Sequence, residues 1–167
     1  ALQFPEPTQY EELACVGFQP EFRRIEAVVF IKRPNGYLGP LCSEGSTEFV
    51  RFYLSYDEGA TWQDLGLEQF QVHDIPTRHT NGQRLEFAVG KTIETSTPFC
   101  FGEKPFALVR AILSWNQSPP PNSPNWIPPW GNVRNVHIQL PLRRLNLAAI
   151  LQLAKVELPK PILPYVD

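Results

Sequence analysis

Short segments in which apolar and polar residues alternate recur along this chain, and they constrain its fold more than any other feature. Between positions 49 and 56, Val50, Phe52 and Leu54 fall on one face and Arg51 and Tyr53 on the other. A period of two places successive side chains on opposite faces of a strand, so each segment predicts a β-strand with one buried face. Seven segments are predicted as strands: 25–31, 49–56, 61–65, 70–73, 85–89, 107–115 and 136–140.

Turn-forming residues separate these segments. Pro34-Asn35-Gly36 and Asn81-Gly82 supply the positive φ angles that tight turns need, and residues 76–80 read as a polar loop. No amphipathic helix is indicated before residue 142. Seven strands joined by short turns predict an all-β domain, an immunoglobulin-like two-sheet antiparallel β-sandwich over residues 10–141, preceded by an N-terminal arm at 1–9.

Residues 142–167 form an apolar tail bounded by prolines. Its apolar residues recur both at helical spacing and at strand spacing, so the tail is predicted as a short helix or an added strand. Leu147, Ile150 and Leu151 are the residues expected to bury an apolar face. The tail either packs back on its own sheet, or joins this domain to a neighbouring one, or docks on another subunit. Docking is the interpretation we carry forward.

Composition narrows the classes of partner. The chain has 167 residues with 43% apolar content, enough for one folded core. Lys and Arg total 15 against 17 Asp and Glu, so the near-neutral charge gives no reason to expect nucleic acid or an anionic membrane. No apolar run reaches the roughly 18 residues of a membrane-spanning helix, and no cofactor is predicted.

The octapeptide SYDEGATW, residues 55–62, fits the Asp-box pattern Ser-x-Asp-x-Gly-x-Thr-Trp at each defined position: Ser55, Asp57, Gly59, Thr61 and Trp62. It resembles a hairpin that occurs repeatedly in sialidase-type propellers and singly in some immunoglobulin-like domains. A propeller needs several four-stranded blades, for which this chain is too short. The resemblance therefore implies a structural hairpin away from any catalytic centre. A calcium loop would need more oxygen ligands than this loop offers.

A second resemblance covers most of residues 10–140. The phrases YEELACVGF, GYLGPLC, GSTEFVRFYL, VHDIP, VRAILSWN and WGNVRNVHIQL are similar to a module in uncharacterised bacterial proteins that look exported. That resemblance implies an extracellular or cell-surface location.

Catalytic patterns are weak. His73, Asp74 and His79 could form a metal face, but a loop that bonds its own backbone is the favoured interpretation. The sequence has no Gly-x-Ser-x-Gly elbow, phosphate-binding loop or dinucleotide motif. The chain is therefore predicted not to be an enzyme and to hold no metal.

Aromatic residues give the better lead. Trp115, Trp126, Trp130 and Asn132 accompany a proline-rich loop, and indoles beside amides bind sugars or anchor protein interfaces. The alternative is that these rings cover the open end of the sandwich.

Three cysteines allow one disulfide, and a Cys42–Cys100 bridge would tie together the loops before two strands. The alternative is three buried free thiols.

Taken together, these features predict a non-enzymatic structural or interaction module, exported and acting in a surface assembly, such as a filament, through its tail and exposed sheet edges. Its partner would be a protein, either a second copy or a neighbouring domain. The alternative function is a carbohydrate-binding module that uses the Trp-, Asn- and Pro-rich loop at 115–132.

Overall fold

The computed structural model describes residues 7–94 and 106–141. Over these residues the chain forms seven strands and one helical turn. In chain order the elements are β1 Glu11–Gln19, β2 Arg24–Ile31, β3 Ser46–Ser55, β4 Gln63–Val72, α1 Thr77–Thr80, β5 Leu85–Thr92, β6 Phe106–Trp115 and β7 Val133–Gln139.

The strands form two antiparallel sheets, with orders β1-β2-β5 and β4-β3-β6-β7. Each central strand buries every second residue, as β2 does with Ile25, Ala27 and Val29, which have no exposed surface. The inner faces of β3 and β6 supply the opposing apolar layer to the same core. The prediction of an all-β, two-sheet sandwich is confirmed.

The first strand was not predicted, and a β-bulge explains why. In its pairing with β2, Leu13 lies opposite Val29 but Cys15 lies opposite Val28, so Ala14 is an extra residue. The inward positions therefore change from 11 and 13 to 16 and 18. A bulge of this kind interrupts the period of two on which strand prediction depends.

The strands predicted separately at 61–65 and 70–73 are in fact one strand, β4, which runs without a break along β3. A second bulge occurs here, since Phe52 pairs with Gly66 whereas Tyr53 pairs with Asp64. The predicted number of strands was right only because this error offsets the missed β1. Residues 76–80, predicted as a loop, contain the single turn α1.

The proline-rich segment at 116–131 contains no strand, as predicted, and lies over the outer face of the four-stranded sheet. Three outward-facing side chains of that sheet donate hydrogen bonds to backbone carbonyl groups of the proline-rich segment. Arg51 Nε donates to the Pro119 oxygen at 2.9 Å, Tyr53 Oη to the Pro120 oxygen at 3.2 Å and Arg110 to the Pro124 oxygen at 2.8 Å.

The tail and most of the N-terminal arm lie outside the described residues, as do Leu147, Ile150 and Leu151. In the two described stretches, no helix has the length and apolar character needed to cross a membrane.

Candidate binding cavity

A cavity of about 230 Å³ opens at one end of the sandwich, between the two sheets. Among the described residues it is lined by Tyr10, Glu11, Gly36, Tyr37, Trp115 and Trp130. These residues come from distant parts of the chain. They meet because antiparallel pairing brings the N-terminal ends of β1, β3 and β7 and the C-terminal ends of β2 and β6 to the same end of the sandwich.

Asp74 holds the loop that carries Tyr37 into the cavity. Its carboxylate accepts hydrogen bonds from the backbone N–H of Tyr37 at 2.8 Å and of Gly39 at 3.2 Å. The Tyr37 hydroxyl then donates to the backbone oxygen of Tyr10 at 2.9 Å, and only 1% of the Tyr37 side chain is exposed. Burial therefore fixes Tyr37 as the inner wall and raises the pKa of its hydroxyl well above the usual value.

The aromatic rings stand at right angles to one another. The Tyr10 ring is edge-to-face with Tyr37, at 6.3 Å and 84°, and with Trp130, at 6.2 Å and 88°. Gly36 makes room for this arrangement, because it has a φ of 109° and a Cβ there would lie 2.7 Å from Tyr10 Cε1. Tyr10 and Trp130 are 37% and 41% exposed, so they form the outer part of the cavity.

One buried carboxyl group lines the cavity, and a second lies close enough to the first to interact with its charge. Glu11 lines it directly and is 1% exposed, and Glu48, on the inward face of β3, is completely buried. Glu48 is the cross-strand partner of Trp115. Among the described residues, neither Oε1 of Glu11 nor either carboxyl oxygen of Glu48 has a hydrogen-bond partner.

Burial controls the protonation of both groups. Loss of solvation raises the pKa of Glu11 to about 7, against a smaller opposing effect of its own backbone N–H and of Lys32. Loss of solvation, together with the charge of Glu11, raises the pKa of Glu48 to about 8. The two carboxyl groups are thus near neighbours that resist being ionised together.

Asn132, predicted as a binding residue, lies buried outside the cavity lining. Its Oδ1 accepts from the Leu13 N–H at 2.7 Å, and its Nδ2 donates to the Leu13 oxygen at 3.1 Å. Its own backbone oxygen accepts from the Leu113 N–H at 2.9 Å. Asn132 therefore joins β1 to β6, one strand from each sheet.

The structure separates the three tryptophans that were predicted as one group. Trp115 and Trp130 line the cavity, whereas Trp126 is a half-buried part of the proline-rich segment and does not contribute to the lining.

The SYDEGATW hairpin is bonded within itself. The Asp57 carboxylate accepts from the Ser55 hydroxyl at 2.7 Å, from the Thr61 N–H at 2.8 Å and from the Thr61 hydroxyl at 2.6 Å. These bonds, led by those from Thr61, lower the pKa of Asp57 to about 2. Gly59 has a φ of 90° and lies against the Trp62 ring, which the Arg110 guanidinium covers at 4.5 Å. The contacts are those of a structural hairpin.

The polar residues after β4 also have local partners. Asp74 bonds the loop at 37–39, His73 Nε2 lies 3.1 Å from the Ser43 oxygen, and His79 Nε2 accepts from Arg78. Within residues 7–94 and 106–141, no three His, Cys, Asp or Glu side chains are grouped as a metal site.

Cys15 and Cys42 are exposed and form no disulfide with each other, so the alternative of buried thiols is wrong for these two. Cys100 lies outside the described residues, and the Cys42–Cys100 bridge stays a prediction.

Sequence reasoning missed Tyr10, Glu11, Tyr37 and Glu48. One signal was present for the last of these. Inward positions in β3 recur every two residues, at Val50, Phe52 and Leu54. The preceding position in this series is Glu48, so the pattern places a carboxyl group on the apolar face of the strand.

The cavity offers aromatic rings on which a ligand can stack and a carboxyl group, that of Glu11, with an oxygen that lacks a hydrogen-bond donor among the described residues. Together they can bind a ligand that has an apolar surface and a hydrogen-bonding or positively charged centre. No family model, curated protein sequence or solved structure matches this chain. Its function has to be inferred from the geometry of the cavity.

Proposed function

We propose that this chain is a non-enzymatic binding module whose ligand site is the cavity at the end of the sandwich. The observation that carries the proposal is the convergence of four aromatic rings and a buried carboxyl group from separate elements on one opening. A concave, largely apolar site with few polar groups is the usual form of a small-ligand site.

The chemistry of the described lining supports recognition over catalysis. Glu11 shares the lining with four aromatic side chains, and none of the six described lining residues is a Ser, Cys, His or Lys that could serve as a nucleophile beside a base. The aromatic rings provide contact area for a ligand, and the carboxyl group can fix the orientation of the ligand.

The proposed subtype of the fold is immunoglobulin-like. Seven antiparallel strands in sheets of three and four support it, with three hairpin pairs: β1-β2, β3-β4 and β6-β7. The fourth strand pairs with the third and not with the fifth, which separates this arrangement from the constant-type immunoglobulin domain. An exported, cell-surface location goes with this proposal through the resemblance to exported modules. Secretion of the full-length gene product into the medium or onto the cell surface would test it, and retention in the cytoplasm would contradict it.

A carbohydrate-binding role is the second candidate. The specific observation in its favour is that Trp130 presents a 41%-exposed indole beside Tyr10, a surface on which a sugar ring can stack. Trp126, which lies away from the cavity, does not add a second stacking platform to it.

The proposal is tested by screening small compounds against the labelled full-length chain and recording the indole N–H signals by NMR. The compounds include monosaccharides, neutral alcohols and organic amines. Binding in the cavity is expected to shift the Trp115 and Trp130 signals and leave that of Trp62, in the hairpin, in place.

Trp130→Ala should abolish these shifts, and Trp126→Ala is the matched control that should preserve them. The proposal is wrong if no compound shifts the Trp115 and Trp130 signals, or if Trp126→Ala removes binding as completely as Trp130→Ala. Hits confined to monosaccharides would select the carbohydrate role.

A further inference from the structure

We infer that the ligand of this cavity is an organic cation, an ammonium group carrying alkyl substituents, held between the aromatic walls and the buried carboxyl group of Glu11. This inference rests on the proposed function and adds the chemical class of the ligand.

The walls have the geometry that a cation needs. Two rings, Tyr37 and Trp130, each stand nearly perpendicular to Tyr10, and Trp115 adds a further indole. Rings set at right angles present several faces to a shared space. The negative face of an aromatic ring attracts a cation within roughly 6 Å, and Trp does so most strongly.

The carboxyl groups supply the second, independent reason. Glu11 lines the cavity, and its Oε1 is buried without a hydrogen-bond partner among the described residues, as are both carboxyl oxygens of the neighbouring Glu48. Leaving buried carboxyl oxygens without a compensating charge or donor is costly. A cation that enters the cavity would compensate them.

The nearest protein cation does not fill that role. Lys32 forms an ion pair with Glu12, and its Nζ donates to the Thr8 backbone oxygen at 3.0 Å. It is about one-third exposed in its side chain and is absent from the described lining. The acidic group in the described lining is therefore Glu11, and a bound cation would favour its ionised form.

The size and lining of the cavity argue against two other classes of ligand. The cavity of about 230 Å³ lies below the roughly 300–1,000 Å³ typical of sites for drug-sized molecules, so it suits a single headgroup. A bare metal ion would need several oxygen, nitrogen or sulfur ligands, but the described walls are mainly rings. An alkylated ammonium has the weak hydration and the apolar surface that rings prefer.

The experiment is calorimetric titration of the full-length chain with choline and with its uncharged tert-butyl analogue, in which carbon replaces the nitrogen. The shapes of the two compounds match, so their difference reports the charge alone. Choline is expected to bind at least about tenfold more tightly than the analogue. Glu11→Gln and Trp130→Ala should each weaken choline binding by at least about tenfold.

Two variants serve as matched controls. Glu86→Gln changes an exposed carboxylate of β5 that pairs with Arg84, and Trp126→Ala removes an indole outside the cavity lining. Both should bind choline like the unchanged chain. Trp130 is 41% exposed and is not part of the buried core, so its replacement is expected to leave the fold intact and keeps the test valid even if Glu11→Gln does not fold.

The outcomes separate the two proposals. Equal binding of choline and its analogue, or binding that Glu11→Gln and Trp130→Ala leave unchanged, would overturn the cation inference while the cavity remained a binding site. If neither compound binds, the cation inference is also wrong, and the NMR screen decides separately whether the cavity binds anything.

Two further arms distinguish the sources of the cation. A peptide containing trimethyllysine is compared with the same peptide unmodified. Preference for the methylated peptide over choline would assign the ammonium group to a protein partner, and preference for choline would assign it to a free small molecule. Either preference supports the inference.

Discussion

At the scale of single residues, the buried pair Glu11 and Glu48 departs most from an ordinary sandwich core. Carboxyl groups are almost never fully buried without partners, because desolvation penalises their charged form. Here both hold their protons into the neutral pH range, with pKa values of about 7 and about 8. The charged groups that act on them are Lys32, which favours the charge of Glu11, and Glu11 itself, which disfavours the charge of Glu48.

This pair makes the stability of the protein depend on pH. A carboxyl group whose pKa is higher in the folded chain stabilises it fully below the unfolded value near 4.5, and that contribution is lost as pH rises through the folded value. The free energy of unfolding is therefore expected to fall by roughly 3 kcal/mol or more between about pH 5 and about pH 9. Urea unfolding across this range measures the change.

Glu48→Gln should flatten this profile, because a neutral amide has no proton to lose. The variant is expected to be more stable than the unchanged chain at about pH 9, where the buried charge is costly. Glu86→Gln, at an exposed ion pair, is the control and should keep the original slope. A profile that does not fall with pH, or that Glu48→Gln leaves as steep, would show that the pair does not govern stability.

At the scale of elements, the β3–β4 hairpin shows how a short sequence specifies a turn. Asp57 points back over the turn and accepts the Thr61 N–H, while the Ser55 hydroxyl accepts the Gly59 N–H at 2.8 Å. Both donors are satisfied locally, so the loop needs no ligand to keep its shape.

Asp57→Ala is expected to open this turn without disturbing the cavity, which lies at the opposite end of β3. Removing the carboxylate leaves the Thr61 N–H without its acceptor, so its amide hydrogen should exchange with solvent markedly faster, and that of Gly59 should follow. Hydrogen exchange followed by NMR measures both amides, and Glu58→Ala is the control because Glu58 contacts His137 and not the turn backbone. Unchanged exchange at Thr61 would contradict the structural role of Asp57.

Elements with an unbroken period were predictable, and those with a bulge were not. Burial alternates along all of β2 and along the first half of β3 and of β6, so the inward faces of these strands could be read directly. In β1 the extra residue Ala14 reverses the phase halfway along, and in β4 the weak strand former Gly66 interrupts it. A local pattern cannot report a change of register that only the partner strand reveals.

The cavity was only partly predictable for a similar reason. Trp115 and Trp130 attract notice because large indoles are rare, whereas Tyr10, just after the arm, and Tyr37, just after a turn, look like ordinary residues. Their contribution depends on long-range contacts, such as the bond from the Tyr37 hydroxyl to the Tyr10 oxygen. Such contacts are set by how the sheets pack and not by neighbouring residues.

At the scale of the whole molecule, both sheets contribute to the cavity. Glu11 comes from the three-stranded sheet and Trp115 from the four-stranded sheet, so the distance between the sheets sets the width of the site. Lys91 and Glu68, paired at 3.0 Å, join β5 to β4 along another side of the sandwich. The site is thus a property of sheet packing and not of one loop.

The assembly role predicted for the tail is also tested at this scale. If residues 142–167 dock on another subunit, truncation after residue 141 should convert a self-associating chain into a monomer that retains its strand content. Sedimentation velocity gives the oligomeric state and circular dichroism checks the fold. An oligomeric state that survives the truncation would locate any self-association on the sandwich itself.

The Asn132 amide has a consequence for how such association could occur. It presents Leu13 with one acceptor and one donor, the same pair of groups that a residue of an adjoining strand would offer. At Leu13, the outer edge of β1 is therefore already hydrogen-bonded to a side-chain amide in the way that a neighbouring strand would bond it. An incoming strand could pair with β1 there only by displacing the Asn132 amide. The outer edge of β1 is therefore a poor site for β-augmentation.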